Sequence, residues 1–264
     1  MITEIARMTA MQLLYFFGAI FSFGLLLGFL ENLTNKNLLK TFGRNSLLIT
    51  GMIGVPVHEL SHAIIAKIFW HKIIEIKLFQ KPDAQGVMGY VNHSYNSKNI
   101  YQLCGNFFIG IAPIFGGSFA IIAIIYLFYP EVVNSYFNNL QHLIAEPILN
   151  LSLITDVFNF QIEFLKTILN PEHLNKISFY IFIFLTLGIS SHMSLSLADL
   201  KGAFHGFLII VTILILLNIL GLGQYLLNFE VIKYNLLIIH VLMLATLFAL
   251  FSYLFSLIFR IFCR

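Results

Sequence analysis

The chain has 264 residues, of which 59% are hydrophobic and only 10% charged, with a formal net charge of +3 and a mean hydropathy of +0.88. Soluble domains carry about 25% charged residues, so this composition excludes an ordinary water-soluble fold and points to a polytopic membrane protein embedded in a lipid bilayer. The small positive charge forms no basic block, which leaves nucleic-acid binding without support, and the two cysteines, Cys104 and Cys263, define neither a disulfide framework nor a metal site.

Apolar stretches of the roughly 20 residues that cross a bilayer occupy 11–30, 46–70, 101–129, 177–197, 204–227 and 236–262. They predict an all-α polytopic membrane protein with about six transmembrane helices. The first is read as a retained helix, because no small-residue cleavage site follows a short apolar core. With six crossings, Arg7, Lys67, Lys72, Lys77, Lys81, Lys98, Lys201, Arg260 and Arg264 fall on one side, against Lys36, Lys40, Arg44, Lys166, Lys176 and Lys233 on the other. That bias favours cytoplasmic termini in the cell membrane and a cytoplasmic loop after the second helix.

The second stretch contains His58-Glu59-Leu60-Ser61-His62. Residues four apart on a helix lie one above the other, so His58 and His62 can present imidazole nitrogens to one Zn²⁺. Glu59 then lies beside the open coordination position, where it can act as general base toward water. With nine His and nine Glu in the chain, an H-E-x-x-H arises by chance with an expectation of about 0.01.

After that helix, Ile74-Glu75-Ile76-Lys77-Leu78-Phe79 alternates apolar and polar residues, and a turn-like Lys81-Pro82-Asp83 leads to 86–91. The alternation predicts a small β hairpin or sheet within 71–99 at the membrane surface, whose edge could hold an extended peptide as an added strand. In the third stretch, 105–117 is rich in glycine and carries Asn106 and Pro113. The glycines permit close helix packing, and Pro113 frees a backbone carbonyl that must find another partner. Asn106 is a candidate polar contributor to a cavity or an interhelical hydrogen bond. The segment 130–176 mixes apolar runs with Glu131, Glu146, Asp156, Glu163 and Glu172 between three prolines, and reads as interfacial or re-entrant helices over the outer side of the site. No internal repeat is evident.

A catalytic zinc needs a third protein ligand. Of three aspartates, Asp83, Asp156 and Asp199, only Asp199 ends a predicted span, and His192 lies seven residues before it. On one continuous helix those two would be about 10 Å apart, too far to share a metal without a break. Asp199 is the favoured ligand, with His192 as a substrate or transition-state hydrogen-bond donor; the reverse assignment stays open.

Taken together, Val57-His58-Glu59-Leu60-Ser61-His62-Ala63, a strand-like loop containing Gly89-Tyr90-Val91, the Gly/Pro/Asn helix and the later Asp199 resemble the site-two proteases, a family of intramembrane zinc metalloproteases. The resemblance covers 46–202. It implies one Zn²⁺ held by His58, His62 and Asp199, Glu59 as base, and a membrane protein substrate cut in or near a transmembrane segment. It divides the chain into a first helix and loop (1–45), a protease core (46–202) and two C-terminal helices (203–264). Ser61 stands where the family usually has Gly, its Asp-Gly motif appears as Asp199-Leu200-Lys201-Gly202, and 130–176 has no obvious counterpart. Three other readings stand beside this one: a membrane metalloprotease of the prenyl-protein-processing kind, with a Glu such as Glu131 or Glu146 as third ligand, a non-catalytic metal-binding membrane protein, and a transporter.

Overall fold

Apolar runs this long have no water to satisfy their backbone, so they close their hydrogen bonds internally as helices. The computed structural model describes residues 2–83, 86–134, 138, 141, 151–226 and 229–263. Its elements are α1 (Ile2–Phe42), α2 (Ser46–Ile68), β1 (Lys72–Lys77), β2 (Tyr90–Ser94), α3 (Ile100–Phe128), α4 (Leu151–Ile168), α5 (Pro171–Leu174), α6 (Ile177–Ser190), α7 (Leu197–Ile219) and α8 (Phe229–Phe262). Among the described residues five helices are long and apolar enough to cross a membrane: α1, α2, α3, α7 and the 235–262 part of α8. The fold is an all-α polytopic membrane protein with one small antiparallel sheet.

The fourth predicted span makes the 14-residue α6, about 21 Å long and short of a hydrocarbon core of about 30 Å. It and α7 run in the same direction. Along α3, Phe128 packs on Phe182 of α6, Gly117 on Met193 and Gly110 on Ala203 of α7. Two predicted spans are therefore one broken helix, interrupted at 191–196. The break changes the topology. Asn37 of α1 bonds Ser256 (3.1 Å) and Arg260 (2.9 Å) of α8, and Gln12 bonds the carbonyl of Gly223 (2.9 Å) just before α8 begins. Helices α1 and α8 are thus parallel and the two chain ends lie at opposite ends of the bundle, whereas six separate crossings would return them to one side.

Lipid tails are as apolar as leucine, so the helices associate through close packing and polar bonds more than through apolar burial. A Cβ on Gly54 of α2 would meet the Gly188 carbonyl of α6, and one on Gly110 of α3 would lie 2.8 Å from the Asp199 carbonyl. One core gathers Leu27, Ile121, Phe182, Met193 and Phe248; a second gathers Ile20, Phe107, Ile114, Leu195 and Leu242. Helix α3 contributes to both and stands at the centre.

The hairpin follows α2 through a Schellman turn: His71 N–H bonds the Ala66 carbonyl (2.8 Å), Trp70 N–H bonds that of Lys67 (3.0 Å), and Trp70 takes the left-handed position, φ 61°. The strands pair Ile73 with His93 and Ile76 with Val91, across a bulge between Ile73 and Glu75. Of 130–176, α4 packs on α8 through Gln161, whose Nε2 donates to the His240 carbonyl (3.0 Å). The described part of this segment lines no wall of the cleft described below, so the expected cover over the site is not formed by it. Glu146 and the side chain of Asp156 lie outside the described residues.

Candidate metal centre

Helix α2 sets His58 and His62 on one face, and each ring is oriented by a carbonyl that a helix interruption has released. His62 donates its Nδ1–H to Ile109 of α3 (2.7 Å). In an unbroken helix that carbonyl would bond the amide of residue 113, but Pro113 has none. His58 donates its Nδ1–H to the carbonyl of His192 (2.8 Å), which lies in the break between α6 and α7. A neutral imidazole that donates from Nδ1 keeps its lone pair on Nε2. The two Nε2 atoms converge to 3.1 Å.

Asp199 completes the group from α7. Ser196 caps that helix: its hydroxyl accepts from the Asp199 amide and its amide donates to Asp199 Oδ2, both at 3.0 Å. The capping box turns the carboxylate toward α2, with Oδ1 3.2 Å from His62 Nε2 and Oδ2 3.7 Å from His58 Nε2. One ligand atom from each of the three residues lies within 4.8 Å of the others. A tetrahedral ion with bonds of about 2.0–2.1 Å separates its ligands by about 3.3 Å, close to the 3.1 Å between the two imidazole nitrogens and the 3.2 Å from His62 Nε2 to Asp199 Oδ1. Three acceptors aimed at one another need a cation or protons between them, and this donor set fits a divalent metal. The group can hold a metal ion.

Around it lies a cleft of about 660 Å³. Glu59 lines it, buried at 7% exposure, beside Asn106, Ile109 and Gly110 of α3. The hairpin closes one wall with Met88 to Val91, and the fit is tight at Gly89, where a Cβ would sit 2.8 Å from Glu59 Cγ and 3.0 Å from the Lys77 carbonyl. Asn106 is buried in the wall, and among the described residues its Nδ2 has no partner. His192 faces the cleft as well. Its Nδ1–H donates to the Gly188 carbonyl (3.1 Å) and its buried Nε2 has no partner among the described residues. Of the two candidates for third donor, Asp199 joins the group with its side chain and His192 supports it with its backbone.

A helix break, which the seven-residue spacing required only if His192 and Asp199 were to share a metal, is present at 191–196, yet only Asp199 brings its side chain to the group. Ser61 donates its hydroxyl to the Val57 carbonyl (2.6 Å) and faces Gly116 of α3, where even a Cβ would overlap it. Three lining residues were not anticipated: Glu31 of α1, which accepts a hydrogen bond from Ser194, and His93 and Tyr95 at the end of β2. A glutamate inside the 41-residue apolar α1 was itself a signal, since ionisable groups at membrane depth are costly and so seldom idle. His93 gave none, because its position depends on hairpin register. No protein-family model, curated protein or solved structure matches this chain.

Proposed function

We propose that this chain is a membrane-embedded metallohydrolase and, more particularly, an intramembrane zinc endopeptidase of the site-two protease kind that cuts a membrane protein in or near a transmembrane segment. The observation that carries the reading is the convergence of His58, His62 and Asp199 on one point beside Glu59. A zinc ion held by these three residues would lower the pKa of water to about 7 and polarise a scissile carbonyl. Among the described residues the group has three donors, which leaves a coordination position for substrate that a closed structural site does not have. An aspartate as third donor favours this reading over the prenyl-protein-processing kind, and the absence of an internal repeat speaks against a transporter.

The chain's own groups supply the rest. Glu59 takes the proton of water on its carboxylate and returns it to the leaving amine. The Ile109 and His192 carbonyls hold both imidazoles in the one tautomer that leaves Nε2 free. The Asn106 amide faces the cleft and can donate to the developing oxyanion, while the His192 ring, whose Nδ1–H is held by the Gly188 carbonyl, can donate from Nε2 only as an imidazolium. A substrate helix must unwind before its amide is reachable, and an unwound strand would lie along the hairpin wall, which offers backbone partners.

The test compares the membrane proteomes of cells carrying wild-type and Glu59→Gln protein. A membrane-derived fragment specific to the wild type, with bound zinc near one equivalent in both proteins, is the expected result. Cleavage retained in the variant would sink the mechanism.

A further inference from the structure

Helix α1 lies outside the stretch that carries the family resemblance, yet it enters the cleft at Glu31. The Glu31 carboxylate accepts a hydrogen bond from the Ser194 hydroxyl. Ser194 stands in the non-helical segment 191–196, and that segment has two tasks at the metal centre. At one end the His192 carbonyl orients His58; at the other Ser196 caps α7 and turns Asp199 inward. Between those ends, among the described residues, the amides of Met193, Ser194 and Leu195 make no main-chain hydrogen bond. The middle of the segment needs an anchor from elsewhere.

Helix α1 is shaped to provide one. Gly24, Gly28 and Glu31 are spaced four and three residues apart, on one face. A Cβ on Gly28 would lie 3.5 Å from Ser194 Cβ, and one on Gly24 would come within 2.8 Å of Leu195 Cδ1. The two glycines let the segment settle against α1, and Glu31 fastens it there.

We propose that Glu31 is a positioning residue of the metal centre: through Ser194 it fixes the 191–196 segment and so sets the geometry of both His58 and Asp199. The proposal rests on the three-donor metal site and not on the identity of the reaction. Groups bonded directly to a metal ligand carry about 10–100-fold in metal affinity, and the segment that Glu31 holds contains two of them, the His192 carbonyl and the Ser196 cap of Asp199.

The experiment titrates Co²⁺ into the full chain in lipid nanodiscs, reading the visible d–d band, with Zn²⁺ competition for affinity. Glu31→Ala and Ser194→Ala should each weaken Co²⁺ binding by about 10–100-fold and change the band, with the metal-free melting temperature held near that of the wild type. Glu31→Gln keeps an oxygen acceptor for Ser194 and should stay within about threefold of the wild type. Affinity and band unchanged in Glu31→Ala would overturn the proposal. So would a Glu31→Gln protein as weak as Glu31→Ala, since charge rather than anchoring would then be the cause. Should Glu31→Ala fail to fold, Ser194→Ala tests the same bond from its other end, and wild-type affinity there overturns it. A wild-type chain that binds no Co²⁺ would remove the metal centre and this role with it.

Discussion

The carbonyl of Ile109 accepts a hydrogen bond from His62, 2.7 Å away, because the residue one turn further along α3 is a proline. An intrahelical bond has been exchanged for one that aims a metal donor. Pro113→Ala would return an N–H to position 113, and the Ile109 carbonyl would swing back toward the helix axis. His62 would then lose part of its orientation. The expected outcome is zinc affinity about 3–10-fold weaker, at the low end of outer-shell effects because a carbonyl has two lone pairs to share. Competition against a chromophoric chelator measures it, and an unchanged affinity would show that the proline serves only to bend α3.

That carbonyl was legible from sequence, as were the H-E-x-x-H helix and the hairpin, because each depends on local spacing; Asp199 was legible because no other aspartate ends a predicted span. The merging of two predicted spans into α6 and α7 was not. Hydropathy sums transfer free energies and is blind to where a backbone stops bonding to itself. In 190–196 the serines return hydrogen bonds to their own chain: Ser190 and Ser191 both donate to the Leu187 carbonyl, at 3.2 and 2.7 Å. Such bonds ease the end of a helix without lowering the local hydropathy enough to mark it. The orientation estimate inherited the miscount. Arg260 now shares an end of the bundle with Asn37 and lies opposite Arg7, so its weight in the charge bias moves to the other side.

Ser61 and Gly116 are a matched pair across α2 and α3. The Ser61 hydroxyl is housed by a glycine on the neighbouring helix. Gly116→Ala should destabilise the protein by about 1–3 kcal/mol, the usual range for overpacking. Adding Ser61→Gly should recover most of that loss. Thermal unfolding of the four proteins of this double-mutant cycle in detergent checks the coupling, and purely additive effects would break the pairing.

Asp199 and His192 make separable contributions. Asp199→Asn removes a charged donor from the group, so it should cost more zinc affinity than the roughly 10–100-fold carried by outer-shell partners. His192→Ala keeps the backbone carbonyl that orients His58, so bound zinc should stay near one equivalent while any cleavage slows. Metal analysis of the purified variants decides between them. Zinc lost from His192→Ala and kept in Asp199→Asn would reverse the assignment.

The hairpin wall of the cleft should open in acid, and His93 is the reason. His71 donates its Nε2–H to the Gln102 carbonyl (2.8 Å), and its Nδ1 shares a hydrogen bond with His93 Nδ1 at 2.9 Å. Burial, and then the nearness of His71 and His62, push the His93 pKa below its ordinary value of 6.5. A histidine whose folded pKa is depressed favours folding only while it is neutral. Above about pH 6.5 both states are neutral and the full stability of the hairpin is present. As pH falls below 6.5 the open form takes up its proton first, and stability declines until the depressed folded value is reached. Trp70, the single tryptophan of the chain, sits at the base of the hairpin with its ring 5.1 Å from Tyr101, and reports the change. Its emission should stay constant from pH 8 to about 6.5 and then titrate, with the midpoint below 6.5 and the transition reduced in His93→Gln. A midpoint above 6.5, or a variant that titrates like the wild type, would place the acid-sensitive group elsewhere.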